Sequence, residues 1–221
     1  MSTALVEKTA QMVQEKFKNE STGHDWEHIR RVWIMAQRIC RKEKADFETV
    51  ELAALLHDIS DWKENYGNST TGADEARRWL VQNNANPILV EHVSQIVSKI
   101  SFKGSQKPED MPTLEGKITQ DADRLESLGA IGIIRAISFG ASKNRILYDP
   151  AIPPKSHLTN EGYVQRTINP KDDTTINHFY EKLLLVKDRL HTHTAKKIAQ
   201  HRHEYIEQFL EEFLSEWEGK K

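Results

Sequence analysis

Apolar residues recur along most of this chain at the spacing of an amphipathic helix. In the segment 25–43, His28 begins such a series. Val32, Met35 and Ile39 follow it at i+4, i+7 and i+11. These spacings place the four side chains on one helical face. No segment alternates β-branched and polar residues over the length of a strand. The pattern therefore predicts an all-α protein, a bundle of helices without a sheet.

Signals for the start of a helix add to this period. The stretch "TTGADEARRWL" near residue 71 supplies an N-cap followed by early acidic residues, and Pro87 suits the first position of a helix. The segment 139–175 instead contains four prolines and no sustained period. It is predicted to be an irregular loop, either a lid or binding segment or a surface excursion. The predicted helices cover residues 3–18, 25–43, 47–58, 71–83, 87–101, 113–137, 175–190 and 194–217.

Composition limits the class of protein. The chain has 221 residues, 38% hydrophobic and 29% charged, which is typical of one globular domain. The formal net charge of −2 indicates no dedicated nucleic-acid surface. The longest apolar run, Leu128 to Ile134, is too short to span a bilayer, and residues 1–17 lack the apolar core of a signal peptide. With Cys40 as the only cysteine, we expect a cytoplasmic protein without a membrane partner.

The stretch "ELAALLHDIS" at residues 51–60 ends an apolar helix in an adjacent His57 and Asp58. Burying an unpaired carboxylate beside a core costs several kcal/mol, so Asp58 needs a partner. His57 shares a helical face with Val50 and Ala53, and His28 faces inward on the preceding helix. Two imidazoles therefore converge on the interior. Taken singly, each of these residues is more often a hydrogen-bonded core histidine or a capping aspartate.

A metal ion would explain the group as a whole. Imidazoles and carboxylates together suit borderline or hard divalent cations. The helix "KITQDADRLESLGAIGII" brings two further carboxylates, Asp121 and Asp123. Residues two apart on a helix cannot point the same way, so only one of these two can join the site. Asp121 lies nearer the face formed by Leu125 and Leu128.

The order of these elements resembles the HD-domain superfamily of metal-dependent phosphohydrolases. His28 is followed by the His-Asp pair at 57–58 and by "ADRL" at 122–125. The sequence also resembles a bacterial-type subfamily of uncharacterised small HD hydrolases. Four segments carry this resemblance: "GHDWEHIRRV" (23–32), "LLHDISDWK" (55–63), "QDADRLESLGAIGIIRA" (120–136) and "INHFYEKLLLVKD" (176–188).

This resemblance covers about residues 20–215 and implies an HD-domain-like helical bundle with a C-terminal helical extension. We expect a single HD-type domain over residues 1–221. Its metal-binding core would lie at about 20–140, the irregular loop at 139–175 and the C-terminal helices at 175–217.

The resemblance also implies roles for particular residues. The metal ligands are expected at His28, His57, Asp58 and Asp123. Asp121 and His24 are expected to support these ligands without binding the ion. Asp61, three residues after the HD aspartate, is the expected catalytic residue that handles the proton of the attacking water or the leaving group. The expected substrate-binding cations are Arg31, one turn past His28, and the weaker candidates Lys63 and Lys182.

One divalent ion is expected, and Mn, Mg, Ni, Co, Fe and Zn all remain open. Two-metal HD enzymes add two histidines on the following helices. Here His92 is present, but Ile100 stands where the second would be expected.

The predicted function is a metal-dependent phosphohydrolase that cleaves a small phosphoester, such as a nucleotide, with a metal-activated water. Whether it is a phosphomonoesterase or a phosphodiesterase is left open. The alternative is a non-catalytic HD module in which the metal is structural and a phosphorylated ligand is sensed. Asp61 and Arg31 favour catalysis, whereas Ile100 leaves room for the alternative. The amphipathic C-terminal helix could form a homodimer.

Overall fold

The structure is a computed structural model that describes residues 3–18, 25–60, 70–100, 111–155 and 173–221. Within these ranges the only β-pairing is an isolated bridge between Ile146 and Thr174. The all-α prediction is therefore confirmed. The helices in these ranges are α1 (Ala4–Lys16), α2 (Trp26–Glu43), α3 (Phe47–Leu56), α4 (Thr70–Gln82), α5 (Pro87–Ile100), α6 (Leu114–Leu125), α7 (Gly129–Ser142), α8 (Thr175–Glu181), a 3-10 helix (Leu183–Arg189) and α9 (His193–Trp217).

The chain divides into two compact units. In the described ranges, the first unit comprises α1 to α5 and α6 as far as Asp123, and the second begins at Arg124. The single domain expected from the sequence stays a prediction.

Helix α3 is the central element of the first unit. Every residue from Thr49 to Leu56 is buried, and the helix packs against α1, α2 and α5. The Asp46 side chain caps α3 by accepting the N–H of Thr49 at 2.8 Å. The one charged residue in the buried stretch, Glu51, accepts hydrogen bonds from Trp33 of α2 at 3.0 Å and from Gln37 of α2 at 2.6 Å. The first unit therefore holds the C-terminal end of α3 in a fixed position.

The second unit is organised around the long helix α9, which packs against α7 and the 3-10 helix. Its aromatic side chains stack in succession, with ring centroids 6.1 Å apart for Phe209 and Phe213 and 5.7 Å apart for Phe213 and Trp217. Arg202 of α9 donates to the main-chain oxygen of Leu125 at 2.5 Å. Because that oxygen belongs to the last turn of α6, this contact adds a side-chain donor at the helix end.

Three boundaries differ from those expected from the sequence. The single helix expected at 113–137 is two helices, interrupted at residues 126–128. The helix expected at 175–190 ends as an α-helix at Glu181 and continues as a 3-10 helix, because Lys182 adopts a non-helical conformation with φ −136° and ψ −56°. The irregular segment expected from residue 139 begins after Ser142, where α7 ends.

No individual helix among the described residues has both the length and the apolar character needed to cross a membrane. Only α6 and α7 taken together meet those two conditions.

Candidate metal centre

His28 reaches the interior from the first turns of α2. Asp25 caps this helix by accepting the N–H of His28 at 2.8 Å, which fixes the backbone at the histidine. Val32 and Ile39, which share its face, are fully buried, and the His28 side chain is only 1% exposed. The amphipathic pattern of α2 therefore delivers an imidazole into the core.

His57 caps the C-terminal end of α3. Its Nδ1 lies 2.8 Å from the carbonyl oxygen of Ala54, one turn earlier. A carbonyl oxygen can only accept, so Nδ1 carries the hydrogen and the neutral ring presents its lone pair at Nε2. The carbonyl groups at this helix end also favour a positive charge beside the ring.

Two carboxylates face the imidazole Nε2 atoms. The Oδ2 atom of Asp58 lies 3.6 Å from Nε2 of His28 and 3.4 Å from Nε2 of His57. The Oδ1 atom of Asp123 lies 3.5 Å and 3.9 Å from the same two nitrogens. The carboxylate side chains are 27% and 38% exposed, whereas the histidines are buried. The cluster therefore has a buried imidazole side and a carboxylate side that reaches solvent.

These separations fit a shared ion better than direct hydrogen bonds. They exceed the usual range of about 2.7 to 3.2 Å for an N–H···O bond. Ligand atoms about 2.0 to 2.2 Å from one ion are roughly 2.8 to 4.4 Å apart, which includes all four distances. One ligand atom from each of His28, His57 and Asp58 lies within 4.8 Å of the other two. This group of side chains could hold a metal ion.

The electrostatics of His57 point the same way. Burial lowers the pKa of this imidazole, but the carboxylates of Asp58 and Asp123 and the Ala54 carbonyl outweigh burial and raise it to about 9. In the metal-free protein, the His57 imidazole is therefore protonated near neutral pH, so a proton supplies the positive charge that the carboxylates favour.

Comparison with known proteins identifies the family. A model of the HD domain matches residues 25–128, which include all four side chains of the cluster. The protein YpgQ of Bacillus subtilis is 34% identical over 208 residues, covering 94% of this chain and 91% of YpgQ. This chain belongs to the HD family.

Solved structures agree with this assignment. The HD-superfamily hydrolase from Bacillus thuringiensis is 38% identical, with a TM-score of 0.75 and 96% of each chain covered. The structure of Bacillus subtilis YpgQ in complex with ADP is 32% identical, with a TM-score of 0.71 and 96% of each chain covered. The recognition of an HD-domain fold from the sequence is therefore confirmed.

The structure also places the remaining predicted residues of this HD protein. Asp121 is completely buried in the first unit, in contrast to the partly exposed Asp123. Arg31 is half-buried on α2, and Lys182 lies in the second unit just after α8. The expected catalytic residue Asp61, the expected substrate-binding Lys63 and the expected supporting residue His24 lie outside the described residues.

His92 and Ile100, the two positions considered for a second ion in the sequence, both lie in the first unit. His92 of α5 has its Nε2 3.8 Å from Oε2 of Glu115. Ile100 is 6% exposed and packs in the core of the first unit. In the described parts of the chain, His28, His57 and Asp58 form the only group of three or more ligating side chains close enough to share an ion.

One buried ion pair in the second unit was not predicted from the sequence. Arg145 and Asp173 form a buried ion pair, with Nε 3.5 Å from Oδ2. Neither residue lies in a periodic segment, so no face could be assigned to it from the sequence. Only the pairing of two segments distant along the chain brings them together.

Proposed function

We propose that this HD protein is a metal-dependent phosphohydrolase that cleaves a small phosphoester. The observation that carries the proposal is the approach of the His57 Nε2, set by the Ala54 carbonyl, to the carboxylates of Asp58 and Asp123. The partly exposed carboxylates would leave the ion accessible to a substrate, which a site that only stabilised the fold does not require.

In this proposal His28, His57, Asp58 and Asp123 hold one divalent ion. Such an ion supplies a Lewis acid for a phosphoryl oxygen and for the attacking water. The Ala54 carbonyl keeps the His57 ring in the ligating tautomer. The two carboxylates offset the charge of the cation and leave the solvent side open to substrate. Mixed His/Asp donors accept Mn, Mg, Ni, Co, Fe and Zn, so the metal is a matter for experiment.

Further roles complete the proposal. Asp61 follows Asp58 by three residues and would take the proton of the attacking water or supply one to the leaving group. Arg31 on α2, together with Lys63, would bind the phosphate oxygens, and Lys182 stays a candidate from the sequence alone.

Nucleotides are the substrate class that we propose to test first. The YpgQ relative has been solved in complex with ADP, and its similarity extends over nearly the whole of both chains. A nucleotide bound without turnover would instead fit a sensing module with a structural metal. A homodimer formed through α9 is a separate proposal, which light scattering on the purified protein would test.

The test is a hydrolysis panel of phosphomonoesters, phosphodiesters and nucleoside mono-, di- and triphosphates, with each divalent metal supplied in turn. Asp58→Asn removes one ligand charge with little change in shape. The matched control is Asp74→Asn, an exposed carboxylate of the first unit.

We expect turnover that requires a metal, is lost in Asp58→Asn and is kept in Asp74→Asn. If the wild type binds the metal and the nucleotide but hydrolyses nothing, the sensing module would replace the enzyme as the proposed function.

A further inference from the structure

The first unit contains a cavity between α1 and α4. Its volume is about 310 Å³, and the side chains that line it are Met12, Ile59, Glu75, Arg78, Trp79 and Gln82. None of the four candidate metal ligands is among them. Side-chain contacts join the two helices beside the cavity, because Trp79 Nε1 donates to Oγ1 of Thr9 at 2.9 Å and Lys16 pairs with Glu75. A cavity of this size can accept a small organic molecule.

The inner wall of the cavity is apolar. Ile59 is buried, and Met12 and Trp79 are half-buried and pack against the hydrophobic core of the first unit. The hydrogen bond to Thr9 holds the indole ring of Trp79 in one orientation. An aromatic ring that is fixed beside two apolar side chains offers a surface for a flat apolar group.

The mouth of the cavity carries an uncompensated positive charge. Arg78 and Gln82 are both exposed, so their side chains mark the side that opens to solvent. The Glu75 carboxylate is paired with Lys16. Arg78 forms no hydrogen bond or ion pair with the described chain, and Asp74, one turn earlier, does not line the cavity. A guanidinium whose donors are free for a ligand favours an anionic group at this mouth.

We propose that this cavity binds a small organic anion with a flat apolar body. The apolar body would lie against Trp79, Met12 and Ile59. The anionic group would accept hydrogen bonds from Arg78 and Gln82 at the mouth. This inference goes beyond the hydrolase proposal and does not depend on it, because no candidate metal ligand lines the cavity.

A pair of probes that differ in charge but little in shape tests the site. The anion is 2-naphthoate and its neutral counterpart is 2-naphthamide. Each is titrated into the full chain labelled with ¹³C-methyl methionine, in EDTA so that the carboxylate cannot bind a metal. The chain has four methionines. Met12 lines the cavity and Met12→Leu assigns its signal, whereas Met111 is buried outside the cavity and serves as the internal control.

Two arginine variants complete the design. Arg78→Gln removes the charge at the mouth, and the exposed position leaves the fold intact. Arg77→Gln is the matched control, because Arg77 is exposed on the same helix and does not line the cavity. The ion pair of Arg77 with Glu91 is exposed and contributes little to stability.

We expect 2-naphthoate to shift the Met12 methyl signal in a saturable way and to leave Met111 unchanged. Affinity should fall about fivefold to tenfold for 2-naphthamide and in Arg78→Gln, and should stay the same in Arg77→Gln. A Met12 signal that does not move at millimolar 2-naphthoate would overturn the proposal. Equal affinity for the two probes, or wild-type affinity in Arg78→Gln, would also overturn it, because Arg78 would then not recognise an anion.

Discussion

The Nδ1 atom of His57 lies 2.8 Å from the carbonyl oxygen of Ala54, one turn earlier in the chain. The backbone of α3 therefore fixes the orientation of this imidazole without any help from a bound ion. Because the carbonyl accepts from Nδ1, any metal must bind through Nε2, and the ring does not need to rotate when it does so. The HD aspartate follows directly in the chain, so one short backbone segment sets two of the four predicted ligands.

Metal affinity should rise steeply with pH. Burial lowers the pKa of His57, but Asp58, Asp123 and the Ala54 carbonyl raise it to about 9, so metal binding near neutrality must displace a proton. We expect the Mn²⁺ dissociation constant to tighten about tenfold per pH unit between about pH 7 and 9, and to level off above. Calorimetry in two buffers of different ionisation enthalpy would measure the released proton. An affinity that does not change below pH 8 would contradict this.

The stability of the metal-free protein should show the opposite dependence on pH. The pKa of His57 is higher in the folded state, about 9, than its ordinary value of 6.5. The stabilisation from its protonated form is therefore complete below pH 6.5 and is lost as the pH rises through 9. We expect the free energy of unfolding in EDTA to fall by up to about 3 kcal/mol across this range.

Chemical denaturation at intervals of half a pH unit would follow this loss. Saturating metal should remove the decline, because the bound imidazole is then neutral throughout. Asp58→Asn should also flatten it, since that carboxylate contributes most to raising the pKa. The same slope in EDTA and in saturating metal would rule out His57 as its source.

Asp121 and Asp123 should respond differently to the same substitution. Asp123 places Oδ1 3.5 Å from the Nε2 of His28, whereas Asp121 is completely buried. We expect Asp123→Asn to weaken metal binding by about 100-fold and to lower the melting temperature of the metal-free protein only slightly, because Asp123 contributes less than Asp58 to raising the pKa of His57. Asp121→Asn should mainly lower that melting temperature. The two variants, titrated with metal and melted side by side, form a matched pair. A larger loss of metal affinity in Asp121→Asn than in Asp123→Asn would show that Asp121, not Asp123, is the metal ligand.

Helical periodicity could be read from the sequence wherever packing on one face determines the structure. The face of α2 that carries His28, Val32 and Ile39 is buried as the pattern predicts. The break between α6 and α7 could not be read in this way, because apolar residues continue through Leu128 into the next helix. Backbone geometry causes that break: Gly129 adopts φ +72°, in the left-handed region that favours glycine.

The candidate ligands were recognisable for a similar reason. An adjacent His and Asp at the end of a buried helix is costly without a cation, so the cost itself is a signal in the sequence. Asp121 and Asp123 were harder to separate, because a shift of two residues on a helix depends on where the helix begins and how it packs. The Arg145–Asp173 ion pair could not be predicted from a local sequence pattern, because long-range pairing of two irregular segments brings the two residues together.

The buried carboxylate of Glu51 should be essential for the packing of α2 on α3. It is 1% exposed and accepts hydrogen bonds from Trp33 and Gln37. Replacing Glu51 with Ala leaves both half-buried donors without their acceptor, so we expect a loss of about 2 to 4 kcal/mol in the free energy of unfolding. Glu48→Gln, on the same helix, is the control and should cost under about 0.5 kcal/mol, because its bond to Thr3 is exposed. Urea denaturation would measure both losses. Equal losses in the two variants would show that the hydrogen bonds of Glu51 are not essential for the packing of α2 on α3.

The turn between α6 and α7 should depend on Gly132. A Cβ at this position would overlap the main-chain carbonyl of Ser127, and a backbone group cannot rotate away as a side chain would. We expect Gly132→Ala to destabilise the protein by about 2 kcal/mol or more.

Gly72→Ala is the matched helical control for this prediction. Its added methyl would make only ordinary contacts, the closest at 3.5 Å from the oxygen of Ser60. That variant should be neutral or up to about 1 kcal/mol more stable, because alanine is the better helix former. Thermal and urea melts of both variants would measure the difference. If Gly132→Ala proved as stable as Gly72→Ala, the close approach of α7 to Ser127 could not be what defines this turn. The left-handed conformation of Gly129 would then have to define it.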